Sequence, residues 1–333
     1  MTNASKAGSY STGSIITRGS RAVLNPLVGK LTADRNYRLA DTIFVAGWAR
    51  SGTTWLAEVL STIPKSAILF EPLHQDHVRA AAAAGFPVKN AILAPGEGTP
   101  EQKQFMERVL RGQVLNWWTC SANPLGRAVR PKLWIVKEIH ANYLIEWILG
   151  TFPIRRSVLI VRHPCATIVS RMSQGWRAND ANDSQLKLKH RAVRQKYPQL
   201  DAVCRGLKDP FEVLAARWCL MNYVPLSINP RPFHVVAYES LATRGVADLV
   251  PMFRHWGIEV PAEMEASLSR ASATTKASTL QGAAHKQSTG RWRNALTADQ
   301  ISRIVRVVRD FGMDFYTDDP EPDYDRLNRV LPR

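Results

Sequence analysis

The segment Gly47-Trp48-Ala49-Arg50-Ser51-Gly52-Thr53-Thr54 gathers a cation, hydroxyl side chains and two glycines. An apolar run, Thr42-Ile43-Phe44-Val45-Ala46, precedes it. A helical pattern follows, with Leu56, Val59, Leu60 and Ile63 on one side and Pro64 as its stop. Strand, glycine turn and helix in that order aim backbone N–H groups and a helix N-terminus at one place, as phosphate binding requires. Gly47 and Gly52 frame four residues, as in a Walker A loop. A nucleoside triphosphatase then needs Lys followed by Ser or Thr. Here Thr53 and Thr54 occupy those places and the cation is displaced to Arg50, which excludes the ordinary ATP or GTP loop. The two glycines alone fit a structural turn equally well.

The longer string Arg50-Ser51-Gly52-Thr53-Thr54-Trp55 is more specific. It resembles the 5′-phosphosulfate loop of sulfotransferases that use 3′-phosphoadenosine 5′-phosphosulfate (PAPS). The resemblance implies that Arg50 contacts the phosphosulfate and that backbone amides from Ser51 and Gly52, with the Thr53 and Thr54 hydroxyls, hold the 5′-phosphate. It places Trp55 near adenine. Arg at this position is more typical of the glycan-modifying members, and it acts by charge and paired hydrogen bonds only. Val161-Arg162-His163-Pro164 with Ser170-Arg171 resembles the family's 3′-phosphate motif, Arg162 supplying charge and Ser170 a hydroxyl. His163 stands where Asp or Asn is commoner, so its role is open. Further on, His285-Lys286-Gln287-Ser288-Thr289-Gly290-Arg291-Trp292-Arg293-Asn294 is similar to the segment that closes over the 3′-phosphate and adenosine. It brings Lys286, Gly290, Arg291 and Trp292 into the nucleotide site. Phe70-Glu71-Pro72-Leu73 resembles a string of carbohydrate sulfotransferases.

Sulfuryl transfer, like phosphoryl transfer, asks for alignment, charge stabilisation at the leaving phosphate, and removal of the acceptor proton. Arg50 and the loop amides meet the second need. Two residues compete for the third. Glu71 follows the second strand and so leaves the same sheet edge as the phosphate loop; in glycan-modifying members a Glu here is catalytic. His140, in Lys137-Glu138-Ile139-His140, stands one residue beyond the place of the catalytic His in cytosolic members. Glu71 is preferred, and Lys137 is assigned to positioning the sulfuryl oxygens. No carboxylate pattern for magnesium is evident, and the resemblance implies no metal, with PAPS as donor and 3′,5′-ADP as product.

The elements that must position these residues are legible. Strands are predicted over 42–46, 66–70, 133–137, 157–161 and 233–237, alternating with helices over 53–62, 143–148, 164–173, 211–224 and 297–312. Such alternation argues an α/β fold, a central parallel sheet flanked by helices, here the P-loop-like sulfotransferase fold that the resemblance implies. Residues 75–115 read as helical and variable, and 174–210 as a polar, basic, mobile region. One domain is expected over 41–317, after a flexible basic segment, 1–40, and before a C-terminal tail, 318–333.

The 333 residues carry a formal charge of +16. Such an excess fits polyanionic company: acidic glycan, anionic lipid, nucleic acid or a charged nucleotide. A nucleic-acid module is disfavoured, because no reader motif occurs and the basic residues do not interleave with aromatics. The resemblance implies PAPS and a hydroxyl acceptor as partners, Arg50 and the Phe70-Glu71-Pro72 string tilt the acceptor towards a glycan or glycolipid, and peripheral membrane contact is compatible with the charge. A small hydroxylated or phenolic metabolite is the alternative acceptor, and a P-loop nucleotide kinase, disfavoured by Thr53 in place of Lys, is the alternative class. The four cysteines are far apart and without metal spacing, as for buried thiols in a reducing compartment. With no apolar leader or spanning run, a cytoplasmic location is expected.

Overall fold

The computed structural model describes residues 26–27, 36–86, 92–124, 126–128, 130–175, 186, 190–270 and 289–332. Short apolar, β-branched runs form five strands: β1 (Ile43–Ala46), β2 (Ser66–Phe70), β3 (Leu133–Glu138), β4 (Arg156–Val161) and β5 (His234–Ala237). They pair in parallel in the order β2-β3-β1-β4-β5. Every residue of β1, β2 and β3 is buried, as parallel strands covered on both faces must be. Successive side chains leave a strand on opposite sides. Phe44, Ala46, Trp134, Val136, Leu159 and Val161 therefore enter one core, and Ile43, Val45, Leu133, Ile135, Val158 and Ile160 another.

Helix α1 (Thr53–Leu60) covers the second of these faces. Its Leu56 and Leu60 are fully buried, each worth about 1.5–3 kcal/mol of transfer free energy. Helices α2 (Pro164–Met172), α3 (Pro210–Leu226) and α4 (Ala298–Asp310) cover the other. Helix α4 begins at a capping box: Thr297 Oγ1 accepts from Gln300 N–H, and Gln300 Oε1 accepts from Thr297 N–H. That is why the apolar spacing seen in the sequence becomes a helix at this point.

The connection after β1 runs to the β2 side, whereas the one after β4 runs to the β5 side. Between β1 and β4 the sheet thus has a switch point, and a crevice opens there at the strands' carboxyl ends. The phosphate loop follows β1 and Arg162 follows β4, so both motifs reach that crevice.

Two segments are more ordered than the sequence implies. Within 174–210, Arg191–Lys196 and Pro198–Cys204 are helical, with Val193, Leu200 and Cys204 buried. Those apolar residues give a basic stretch an inner face. The segment beyond 317 carries a helix, Tyr324–Asn328, and buries Leu327 and Leu331. Leu331 N–H donates to Leu226 O (3.1 Å), and Tyr223 Oη to Pro332 O (2.5 Å). Ahead of β1, Tyr37 and Leu39 already belong to the core. All four cysteines are buried free thiols. No helix among the described residues is long and apolar enough to cross a membrane.

Candidate active site

Local backbone sets the phosphate loop. Gly52 has φ 95°, and a Cβ there would meet the Tyr238 ring at 2.6 Å. At Gly47 a Cβ would lie 2.7 Å from Ile160 O and 2.8 Å from Thr53 Cγ2. The loop therefore lies directly on β4. Gly47→Ala is expected to cost about 1–3 kcal/mol of stability by overpacking and to weaken nucleotide binding; wild-type unfolding and affinity would contradict that fit.

No side chain caps α1 at Gly52, so its first N–H groups keep their capacity for an anion. Ser51 Oγ is buried without a hydrogen-bond partner among the described residues. Arg50 adopts φ 75°, a left-handed conformation that costs a non-glycine residue about 1–3 kcal/mol. Its Nε donates to Ser170 Oγ on α2 at 3.1 Å. Arg162 Nη1 donates in turn to Arg50 O at 3.3 Å. The two phosphate motifs, distant in sequence, are thus one network. The Arg162 guanidinium lies 4.0 Å over the Tyr238 ring, and its buried Nε has no hydrogen-bond partner among the described residues.

Positive charge is concentrated here. Burial lowers the Arg50 pKa, Arg162 lowers it further, and Glu71 opposes both. Arg171 is pushed down to about 9 by burial, with Arg217 and Arg50 adding. Arginines that disfavour one another's charge, beside a buried hydroxyl and N–H lacking partners, are the complement of a polyanion. The residues present fit a nucleotide bearing separate 5′ and 3′ phosphates. The sequence motif includes Arg171 without assigning it a role, and it does not include Arg217. Arg171 directly follows Ser170, a usable signal; Arg217 sits in the almost wholly buried α3 and had none.

The other half of the edge follows β2 and β3. Glu71 and Lys137 form a buried ion pair, with side chains 9% and 2% exposed. Glu71 N–H donates to Lys137 O at 2.8 Å, and Glu71 has φ 42°. The Lys137 ammonium lies 4.4 Å from the Phe70 ring. Burial lowers its pKa, with Glu71 opposing. Glu138, on the opposite face of β3, accepts from Leu73, Ile139 and His140 N–H at 2.8, 2.8 and 3.0 Å. Its pKa is pushed up to about 7, by burial first and then by Glu71. It shapes the turn that carries His140. His140, its pKa lowered chiefly by burial, lies with Glu71 and His74 such that one ligand atom from each falls within 4.8 Å of the others. The extra residue before His140 therefore does not take it away from Glu71.

Trp55 is 2% exposed, its ring 5.0 Å from that of Tyr238. His163 finds a structural role: its N–H donates to Glu239 (2.9 Å), Nδ1 accepts from Cys165 N–H (3.1 Å), and Nε2 donates to Thr317 O (2.9 Å). Burial holds its pKa at about 3. The His163 ring stacks on Trp292 at 4.4 Å and 15°, which ties the Gly290–Asn294 segment to the 3′-phosphate motif. Arg291 is exposed. Lys286, with His285, Gln287 and Ser288, lies outside the described residues.

A parallel sheet with an arginine-lined crevice at its switch point and an ion-paired carboxylate on the same edge suits a group-transfer enzyme for a phosphate-bearing donor. The sulfotransferase family matches this chain over residues 42–262. The chain belongs to that family, the PAPS-dependent transferases its motifs resemble. No curated protein matches it in sequence. Among solved structures it is similar to the sulfotransferase domain from the curacin biosynthetic pathway, with 17% identity, TM-score 0.44, and coverage of 83% of this chain and 98% of that one. The sulfotransferase domain of the Synechococcus PCC 7002 olefin synthase gives 17%, 0.40, 83% and 96%. Mouse sulfotransferase SULT7A1 complexed with PAP gives 17%, 0.38, 87% and 90%.

Proposed function

We propose that this protein moves the sulfuryl group of PAPS to a hydroxyl of a carbohydrate or glycolipid, with Glu71 as general base. The observation that carries the reading is the buried Glu71–Lys137 pair set on the same strand edge as Arg50. Strands lie about 4.8 Å apart, so the edge is divided by strand order: the donor's phosphates over β1 and β4, the acceptor over β2 and β3.

On this reading Arg162 and Ser170 hold the 3′-phosphate, and Ser51, Gly52, Thr53, Thr54 and the α1 N-terminus hold the 5′-phosphate. The acceptor oxygen forms a bond to sulfur as the bond from sulfur to the phosphate oxygen breaks. The acceptor proton passes to the Glu71 carboxylate. Arg50 offsets charge growing on the leaving phosphate, and 3′,5′-ADP departs. Lys137, expected from the sequence to position the sulfuryl oxygens, is instead given the role of keeping the Glu71 carboxylate facing the reacting centre, because its ammonium is paired with that carboxylate. Glycan acceptors are favoured by Arg50 and the Phe70-Glu71-Pro72-Leu73 string. Trp117, 52% exposed, stands beside His77, which stacks on Trp118 at 4.0 Å. Such a wall fits the apolar face of a sugar ring. It also fits a phenol, the second reading. A cytoplasmic location, at or away from a membrane surface, belongs to the same proposal.

Calorimetric titration is expected to show binding of 3′,5′-ADP and none of ATP. Radiolabelled PAPS with a panel of saccharides, glycolipids and phenols is then expected to label a saccharide. Equal affinity for ATP would defeat the donor assignment, and label confined to phenols would defeat the acceptor assignment.

A further inference from the structure

Glu71 and His74 are joined by a tight turn, His74 N–H donating to Glu71 O at 3.1 Å. Glu71 and His74 have the Glu-x-x-His spacing that serves metal sites on bundle helices, here carried by a turn. Strand β3 then delivers His140 to the same place. A carboxylate oxygen of Glu71 and one ring nitrogen each from His74 and His140 lie within 4.8 Å of one another. His74 Nδ1 is buried without a hydrogen-bond partner among the described residues. The His74 and His140 rings stand edge-to-face at 5.6 Å. Lys137 engages Oε1 of Glu71, so the second oxygen remains for a ligand.

We propose that Glu71, His74 and His140 form a site for a divalent transition-metal ion of the Zn²⁺ kind, and that its occupation switches transfer off. Two imidazoles and a carboxylate are a three-ligand set that leaves a fourth position to water. Ligands at about 2.0–2.1 Å from zinc stand about 3.3 Å apart, so the trio closes by about 1.5 Å at most, within reach of side-chain rotation on half-buried histidines. Imidazole also selects zinc, copper or nickel over magnesium and calcium. The surroundings hold the ligands in place: Glu138 fixes the backbone at His140 (3.0 Å), and the Trp118 and His77 rings lie 5.2 and 4.5 Å from that of His74. The inhibitory consequence rests on Glu71 being the base, since a carboxylate bound to metal no longer takes the acceptor proton.

The test uses Co²⁺ as a spectroscopic substitute for Zn²⁺ on the full chain, with neither donor nor acceptor present. One equivalent is expected to give the strong visible bands of four-coordinate cobalt, bleached by Zn²⁺. His74→Ala and His140→Ala are each expected to weaken binding at least tenfold, with folding checked by thermal unfolding; two variants protect the test should one not fold. The absence of stoichiometric bands, or bands unchanged in both variants, overturns the site. In assays, Zn²⁺ is expected to abolish wild-type transfer, whereas the activity retained by His74→Ala resists the same concentration. Wild-type transfer that persists with the site filled overturns the switch. If Glu71→Gln leaves transfer intact, the base assignment fails while the cobalt bands still decide the site.

Discussion

Replacing Glu71 by Gln is expected to lower kcat about 100- to 10,000-fold, the range a positioned general base supplies, while 3′,5′-ADP binds with wild-type affinity. The split follows from where the residue stands. Glu71 follows β2, whereas the phosphate contacts follow β1 and β4, on the other side of β3. Its removal takes no hydrogen bond from the nucleotide's cradle. It does leave the Lys137 ammonium buried without its partner, and breaking such a pair costs about 3–5 kcal/mol. Thermal stability should therefore fall too, and kcat must be read well below the variant's unfolding temperature. Lys137→Met separates the effects: it removes the same ion pair but keeps the carboxylate, so it should retain more turnover than Glu71→Gln. If Glu71→Gln turns over normally and His140→Ala does not, the imidazole is the base.

Arg50→Ala is expected to lower kcat about 100- to 1,000-fold, comparable to losing one donor to a developing anion, with a much smaller change in 3′,5′-ADP affinity. Arg50 is half-buried and has a left-handed backbone, and its Nε is held by Ser170 Oγ at 3.1 Å. A side chain held rigidly beforehand contributes most when charge grows during reaction. Affinity has other sources, including Arg162 and the uncapped end of α1. Single-turnover kinetics beside nucleotide titration measure the two separately. An unchanged kcat would remove Arg50 from the reaction. Arg50→Lys is expected to recover part of the rate, since it restores charge without the paired hydrogen bonds.

Much of the scaffold was legible because it is written in local periodicity. The runs at 66–70 and 42–46 became β2 and β1, and the spacing of Leu56, Val59 and Leu60 became α1. Residues 190–204 read as mobile in sequence because their apolar residues, among them Val193, Leu200 and Cys204, are sparse among basic ones. They form helices only once a core exists to receive them.

The site divides along the same line. Sequence alone determined which chemistry was available: the loop with its displaced cation, Arg162 with Ser170, and the family those strings resemble. Each is a short segment whose residues act at their own positions on a strand end or a helix start. Only the tertiary structure decided which of them meet. The order β2-β3-β1-β4 sets Glu71 against Lys137 and near His140, joins Arg50 to Ser170, and seats Trp292 on His163. Strand order and register depend on contacts between residues far apart in the chain, which no local pattern encodes. A side chain's direction at a sheet edge follows from that register.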